Sequence, residues 1–321
     1  MQAIAHYNIL ERLGIGALGD VYRARDLKVG RTVALMTPAP ELIADPADRA
    51  RFLADARAAT ALNHPNIAWL FDVVEQDGRC YLAYEFAAGP SLRDEMGGRA
   101  VNLRRSLEIA AQITDALAEG HSRGVVHGDL RPENVVVTPK GSVKVLNFGL
   151  ARWTTGGRAR LAASSPDGLG ADPHGVAAYL SPEQALGSAI DARSDLFSVG
   201  VILHEMLSGR SPFAAVSPSA TVISVIRAPA PPLGLGPSAP EPLKALVARL
   251  LAKPVESRPQ NALTVSAELR QIGTALDARE GSAAPTELIP AQPKQSGGAW
   301  IAIAAVVIVL AVVVWWMLQG T

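Results

Sequence analysis

Three glycines in "LGIGALGDV", Gly14, Gly16 and Gly19, have the GxGxxG spacing. Lacking a Cβ, such positions let backbone amides close on a phosphate. A plain hairpin turn uses the same spacing, so the element after the last glycine decides between the two. A dinucleotide fold would place a helix straight after the glycines. Here "DVYRARD", a turn near Gly30 and a second strand "RTVALM" come next, the pattern of a glycine-rich flap. The strand period of two puts Ala34 and Met36 on one face of that second strand. A second stretch, "VKVLNFGLAR" from Val143 to Arg152, ends a β-branched run in a turn that begins with Asn147. Its amide can lend one oxygen to a hard cation but no negative charge.

The elements that must hold these residues fall into two unequal groups. Up to about Ala87 the pattern is short β-rich runs, "YNILERLG", "DVYRARD", "RTVALM" and "IAWLFDVVEQDGRCYLAYEF", with one helical interruption from Pro46 to Leu62. Helices then dominate. Asn102 is a suitable N-cap for a helix whose Leu103, Leu107, Ala110, Ile113 and Leu117 make one apolar stripe. Further helices are predicted over 195–207, 241–253 and 262–272. A small strand-rich half followed by a larger helical half predicts a two-lobed α+β protein with its site in the crevice between the halves.

The ordered set "VVHGDLRPENVVV", "LNFGLAR", "AAYLSPEQA" and "SDLFSVGVILHEMLSGRSPF" closely resembles the catalytic domain of Ser/Thr protein kinases of the bacterial membrane-anchored type. The resemblance covers about 7–272, with a small lobe over about 7–87 and a large lobe over about 88–272. It implies a two-lobed protein-kinase-like fold that binds ATP. Gly14, Gly16, Gly19, Val21, Ala34, Met36 and Glu85 then stand in the nucleotide pocket, with bulky Tyr84 narrowing its back. Asp129 stands as catalytic base, Arg131 as the phosphate-side cation, Asn134 as a metal ligand and Asn147 as a weak one. Asp55, Glu183, Asp195 and Arg258 match structural positions, Glu183 and Arg258 as a buried ion pair and Asp195 as the brace of the catalytic loop.

Departures from the family pattern concentrate where charge is handled. Met36 takes the place of the lysine that points at the phosphates, and a thioether cannot pair with a phosphate. Asp55 replaces the helix glutamate that steadies that lysine and is left without its partner. Asn147 replaces the metal-binding aspartate, Gly128 an arginine that grips a phosphorylated activation segment, and Val176 a threonine that bonds the base. Arg131 keeps the charge of a lysine but not its geometry. Arg23, Lys28 and Arg31 are weak candidates for a substitute cation. The expectation is a pseudokinase acting as a nucleotide-sensing or partner-binding regulator, with little or no magnesium. The alternative is an active but unorthodox Ser/Thr kinase working on protein hydroxyls.

Composition narrows the partners. Lys plus Arg and Asp plus Glu both number 30, and no basic run is interleaved with aromatics, which argues against nucleic acid. The single cysteine, Cys80, reads as a buried small hydrophobe. Residues 273–298 are rich in Pro, Ser, Gly and Ala and read as a flexible linker. Residues 299–318, "AWIAIAAVVIVLAVVVWWML", carry no charge and match a transmembrane helix with Trp300, Trp315 and Trp316 at its ends. Lys294 on the near side places the globular part on the cytoplasmic face of an inner membrane in a single-pass arrangement. Thr154, Thr155, Ser164 and Ser165 are candidate modification sites in a long loop.

Overall fold

The computed structural model of the chain describes residues 3–16, 18–154, 175–235 and 239–282, with no account of side chains over 279–282. By internal contacts the chain divides into two units, Met1–Leu276 and Asp277–Thr321. The expected transmembrane span and most of the expected linker lie outside the described residues, as do Thr155, Ser164 and Ser165. Among the described residues no helix is long and apolar enough to cross a membrane.

The small lobe is an antiparallel sheet of β1 (Ala3–Ile4), β2 (Tyr7–Ile15), β3 (Gly19–Asp26), β4 (Thr32–Pro38), β5 (Leu70–Gln76) and β6 (Arg79–Glu85). The spatial order is β1-β2-β3-β4-β6-β5. Alternation along the strands separates two apolar layers. Val33, Leu35, Tyr81 and Ala83 join Ile4 and Tyr7 on one face, whereas Met36, Leu82 and Tyr84 face Phe52, Leu53 and Ala56 of helix α1 (Pro46–Ala59) on the other. That helix starts where it does because the Asp45 carboxylate accepts from the Ala47 and Asp48 amides while Pro46 needs no partner.

The large lobe opens with the short helix α2 (Leu92–Met96) and the long helix α3 (Leu103–Ser122), whose N-cap is Asn102, accepting from Arg104 and Arg105. Leu107, Ala110, Ile113 and Leu117 are buried, as the stripe predicted. Strands β7 (Val135–Val137) and β8 (Val143–Val145) form a hairpin that carries the catalytic loop into the "NFG" turn. After α4 (Pro182–Ala185) comes α5 (Ala192–Ser208), buried continuously from Ser194 to Leu207 at the centre of the lobe. Helices α6 (Pro218–Arg227), α7 (Glu241–Leu250) and α8 (Ala262–Ser282) close it.

Two elements differ from expectation. Helix α8 runs ten residues past Ile272 into the stretch read as linker; "GTALDAREGS" contains no proline, and Ala, Leu, Arg and Glu fill half of it. Helix α6 was not foreseen. Its start carries a recognisable cap, Ser217 accepting from Ala220 ahead of Pro218, but Thr221, Val222, Ile223, Val225 and Ile226 are β-branched and weaken the helical signal.

Glu183 and Arg258 meet as the resemblance implied. The guanidinium donates to both Glu183 oxygens at 2.8 and 2.9 Å and to the carbonyls of Ala252, Arg193 and Lys253, so every N–H is used. Burial alone would raise the Glu183 carboxyl, but hydrogen bonds from Arg258 and Ser194 outweigh it and hold the group below the usual carboxylate range. Arg258→Ala leaves that carboxylate buried without its cation and is expected to cost about 3–5 kcal/mol, read by chemical denaturation. In the wild type the contribution of this carboxylate is present above its unfolded pKa and is lost as pH falls through its lower folded value.

Candidate active site

Asp195, on the buried centre of α5, points into the loop that precedes β7. One carboxylate oxygen accepts from the His127 amide at 2.8 Å and from His121 Nε2 at 2.7 Å; the other accepts from the Gly128 amide at 2.8 Å. The loop is pinned from the other side by His127, whose Nε2–H donates to the Leu146 carbonyl at 2.8 Å while Nδ1 accepts from the Asp129 amide at 3.2 Å. Those two bonds require the tautomer protonated on Nε2. Gly128 has φ +71°, and a Cβ there would lie 2.8 Å from the Ala151 side chain. The missing arginine at this position is therefore accompanied by a backbone that only glycine enters easily.

Asp129 is buried at 5% exposure, with Asn134 donating to its backbone oxygen at 2.7 Å and to its carboxylate at 3.1 Å. Burial raises its carboxyl above the ordinary value; Arg131, a hydrogen bond from the Thr154 hydroxyl, His127 and Asn134 oppose the rise without cancelling it. Thr154 is wholly buried and supplies the hydroxyl that Val176 cannot. The sequence pattern concealed this role, because the family motif points to a threonine at position 176 and leaves Thr154 as a modification site. Arg131 lies beside Asp129, Nε 3.5 Å from one of its oxygens and Nη1 4.0 Å from Glu133. It is 4% exposed, and its Nε and Nη1 have no hydrogen-bond partner.

Asn147 adopts φ +61°, a conformation asparagine tolerates better than most residues, and its amide nitrogen donates to Asn134 Oδ1 at 3.0 Å. The two asparagines read as metal ligands are thus bonded to each other through the Asn147 amide nitrogen and the Asn134 oxygen, and Asn134 also donates to Asp129. A hard dication is best held by carboxylates, and this corner offers one buried carboxyl with two amides. Among the described residues no cluster of three or more His, Cys, Asp or Glu is placed to bind a metal. The residues present are a poor fit for a protein-held magnesium ion.

A cavity of about 220 Å³ lies between the lobes, lined by Val21, Ala34, Met36, Tyr84, Glu85 and Asn147 among others. Its apolar walls suit a purine ring, and its volume is below the roughly 300 Å³ at which ligand pockets commonly begin. Of the three flap glycines, Gly16 borders it and Gly14 and Gly19 do not. Gly19 instead serves the strand contact, since a Cβ there would lie 2.1 Å from the Thr37 carbonyl. Glu85 is tied to Lys144 Nζ at 2.6 Å. A larger concavity of about 720 Å³, bordered by Ile9, Tyr22, Arg49 and Tyr81, touches none of the catalytic-loop residues.

Asp55 has partners after all: Trp153 Nε1 donates to its Oδ2 at 2.8 Å, and Arg152 Nε lies 3.5 Å away. With a thioether at position 36, the carboxylate turned to the donors that the segment after "NFG" presents. Of the candidate substitute cations, Arg23 pairs with Glu11 at 2.7 Å, Arg31 pairs with Asp26 at 3.5 Å and lies over the Phe71 ring, and Lys28 is exposed in the turn after β3. The structure brings Asp129, Arg131, Asn134 and Asn147 together and sets Met36 beside Asn147 in the cavity wall.

A strand-rich small lobe with a glycine flap, a helical large lobe and a loop braced by a buried aspartate define the two-lobed protein-kinase-like fold. A protein kinase domain model matches residues 7–268, and the chain belongs to that family. It is 35% identical over 305 residues to the serine/threonine-protein kinase PknB of Mycolicibacterium smegmatis, covering 91% of this chain and 48% of that protein. It is 35% identical over 279 residues to serine/threonine-protein kinase pkn3 of Myxococcus xanthus, covering 83% of this chain and 50% of that protein. The chain thus spans about half the length of these relatives. The crystal structure of the Mycobacterium tuberculosis PknI kinase domain superposes with TM-score 0.65 at 23% identity, covering 84% of this chain and 98% of that one, a likeness of fold.

Because burial lifts the Asp129 carboxyl and Asn134 opposes the lift, Asn134→Ala is expected to move its titration further upward. Carboxyl 13C NMR across an acid titration reads the shift, and a downward move would contradict the assigned balance.

Proposed function

We propose that the chain is an atypical Ser/Thr protein kinase that moves the terminal phosphoryl group of ATP to a protein hydroxyl. The observation that carries this reading is the Asp129–Arg131 pair: a buried base with its carboxyl raised and a buried guanidinium with unspent donors, both held on a loop braced by Asp195. The serine/threonine-kinase names of the relatives support it. In the transfer, the acceptor oxygen forms a bond to the terminal phosphorus as the bond to the ADP oxygen breaks, and the hydroxyl proton passes to Asp129. Arg131 faces the charge on the moving group and Asn134 holds the base in place.

The absent lysine and the absent metal carboxylate set the pace. Each well-placed charge-stabilising group is worth about 3 kcal/mol, or roughly two to three decades in rate. Even with strong non-additivity, turnover is slower by decades than in a site that keeps both. The second reading, a pseudokinase that senses nucleotide or binds a partner, is favoured by Met36 and Asn147. In either case the uncharged span at 299–318, outside the described residues, acts as a membrane anchor with the kinase domain on the cytoplasmic side of an inner membrane.

The purified full chain, given labelled ATP and a generic protein acceptor, is expected to label serine or threonine slowly, and Asp129→Ala to abolish the label. Absence of labelling in the wild type would leave the pseudokinase reading in place. Met36→Lys combined with Asn147→Asp is expected to raise the rate by about two decades or more.

A further inference from the structure

A buried apolar cluster joins the tip of the glycine flap to α1 and to the segment after "NFG". Leu18, at the tip of the flap and 1% exposed, belongs to one buried cluster with Met36, Phe52, Leu150 and Trp153. Leu18 is also fixed through its backbone, its carbonyl accepting from the Ala39 amide at 2.8 Å. Trp153 reaches the cluster from the short helical turn Ala151–Trp153 that comes after "NFG". Its ring meets Phe52 of α1 edge to face at 5.4 Å, and its N–H holds the Asp55 carboxylate of the same helix at 2.8 Å. Arg152 adds a second contact to that carboxylate at 3.5 Å. A buried indole needs a partner for its N–H, and Asp55 is free to serve because no lysine at position 36 competes for it. The cavity wall includes Met36, Asn134 and Asn147 but not Leu18, Gly19, Asp129 or Arg131, and Asp129 is only 5% exposed.

We propose that Trp153, bonded to Asp55, and Leu18, packed in the same cluster, form an apolar latch that shuts the phosphate end of the nucleotide cleft. The latched state takes a neutral purine nucleoside in the cavity between the lobes. A polyphosphate enters only when Trp153 leaves Asp55 and the flap lifts Leu18 out. The proposal rests on the reading that the cleft binds adenine nucleotides, and it adds a closed state in which catalysis waits on release of a tryptophan. Arg131 keeps its unspent donors for the phosphoryl group that arrives after release.

The test measures dissociation constants of adenosine and of ATP, with and without magnesium, on the purified full chain by calorimetry. Trp153→Phe keeps the ring and removes the N–H; Asp55→Asn removes the charge that the N–H holds. Both are expected to tighten ATP by about tenfold while leaving adenosine within about twofold, because the fraction of open molecules rises and only the phosphate end is gated. Should either variant fail to fold, Leu18→Ser at the flap tip is expected to give the same change in the ATP-to-adenosine ratio. An unchanged ratio in the folded variants overturns the latch while leaving the nucleotide reading intact. A wild type that binds neither ligand removes the nucleotide reading, and the latch with it.

Discussion

Two oxygens of Asp195 hold the functional part of the molecule in place. They take the amides of His127 and Gly128, two consecutive residues, and fix the backbone immediately before Asp129. A carboxylate this deeply buried is tolerable only when its lone pairs are filled, and His121 fills another. Because Asp195 sits on a helix buried on every side, the loop takes its position from the most rigid element of the large lobe. The placement of Arg131, Asn134 and the "NFG" turn depends on that one attachment, through His127 to Leu146 and through Asn134 to Asp129 and Asn147.

Around this frame, charge has been exchanged for packing. Where a lysine would join the small lobe to α1 by an ion pair, Met36 enters the apolar cluster and Asp55 bonds to an indole instead. Where a carboxylate would face a dication, Asn147 bonds to Asn134. Each exchange is locally satisfied, and together they leave neutral side chains at the two positions, 36 and 147, where the family pattern has a lysine and an aspartate. The cationic group left at the centre is Arg131, and its unpaired nitrogens mark where an anion is most welcome.

Much of this was legible in advance. The alternation in "RTVALM" placed Ala34 and Met36 on the cavity side, and the stripe from Leu107 to Leu117 predicted a buried helix face. The Glu183–Arg258 pair came from motif order and is present with every guanidinium N–H used. Other features were out of reach. Thr154 is close to Asp129 only because the segment after Asn147 folds back, and no spacing rule links positions 129 and 154. The partner of Asp55 likewise lies about a hundred positions along the chain. Helix α8 extends past the expected boundary because a Gly- and Ser-bearing stretch without proline weakens a helix without ending it.

The order of residues along the chain was enough to establish kinship, the two lobes and the replacement of the charged groups, since motif spacing and strand or helix period are properties of neighbours in sequence. The fate of the groups left over was settled by folding: which donor Asp55 accepts, that Asn147 donates to Asn134, and that Leu18 and Trp153 share a buried cluster with Met36. Those outcomes depend on which distant side chains arrive within about 3 Å, and hydrogen bonding and close packing fall off too steeply with distance to be read from one strand at a time.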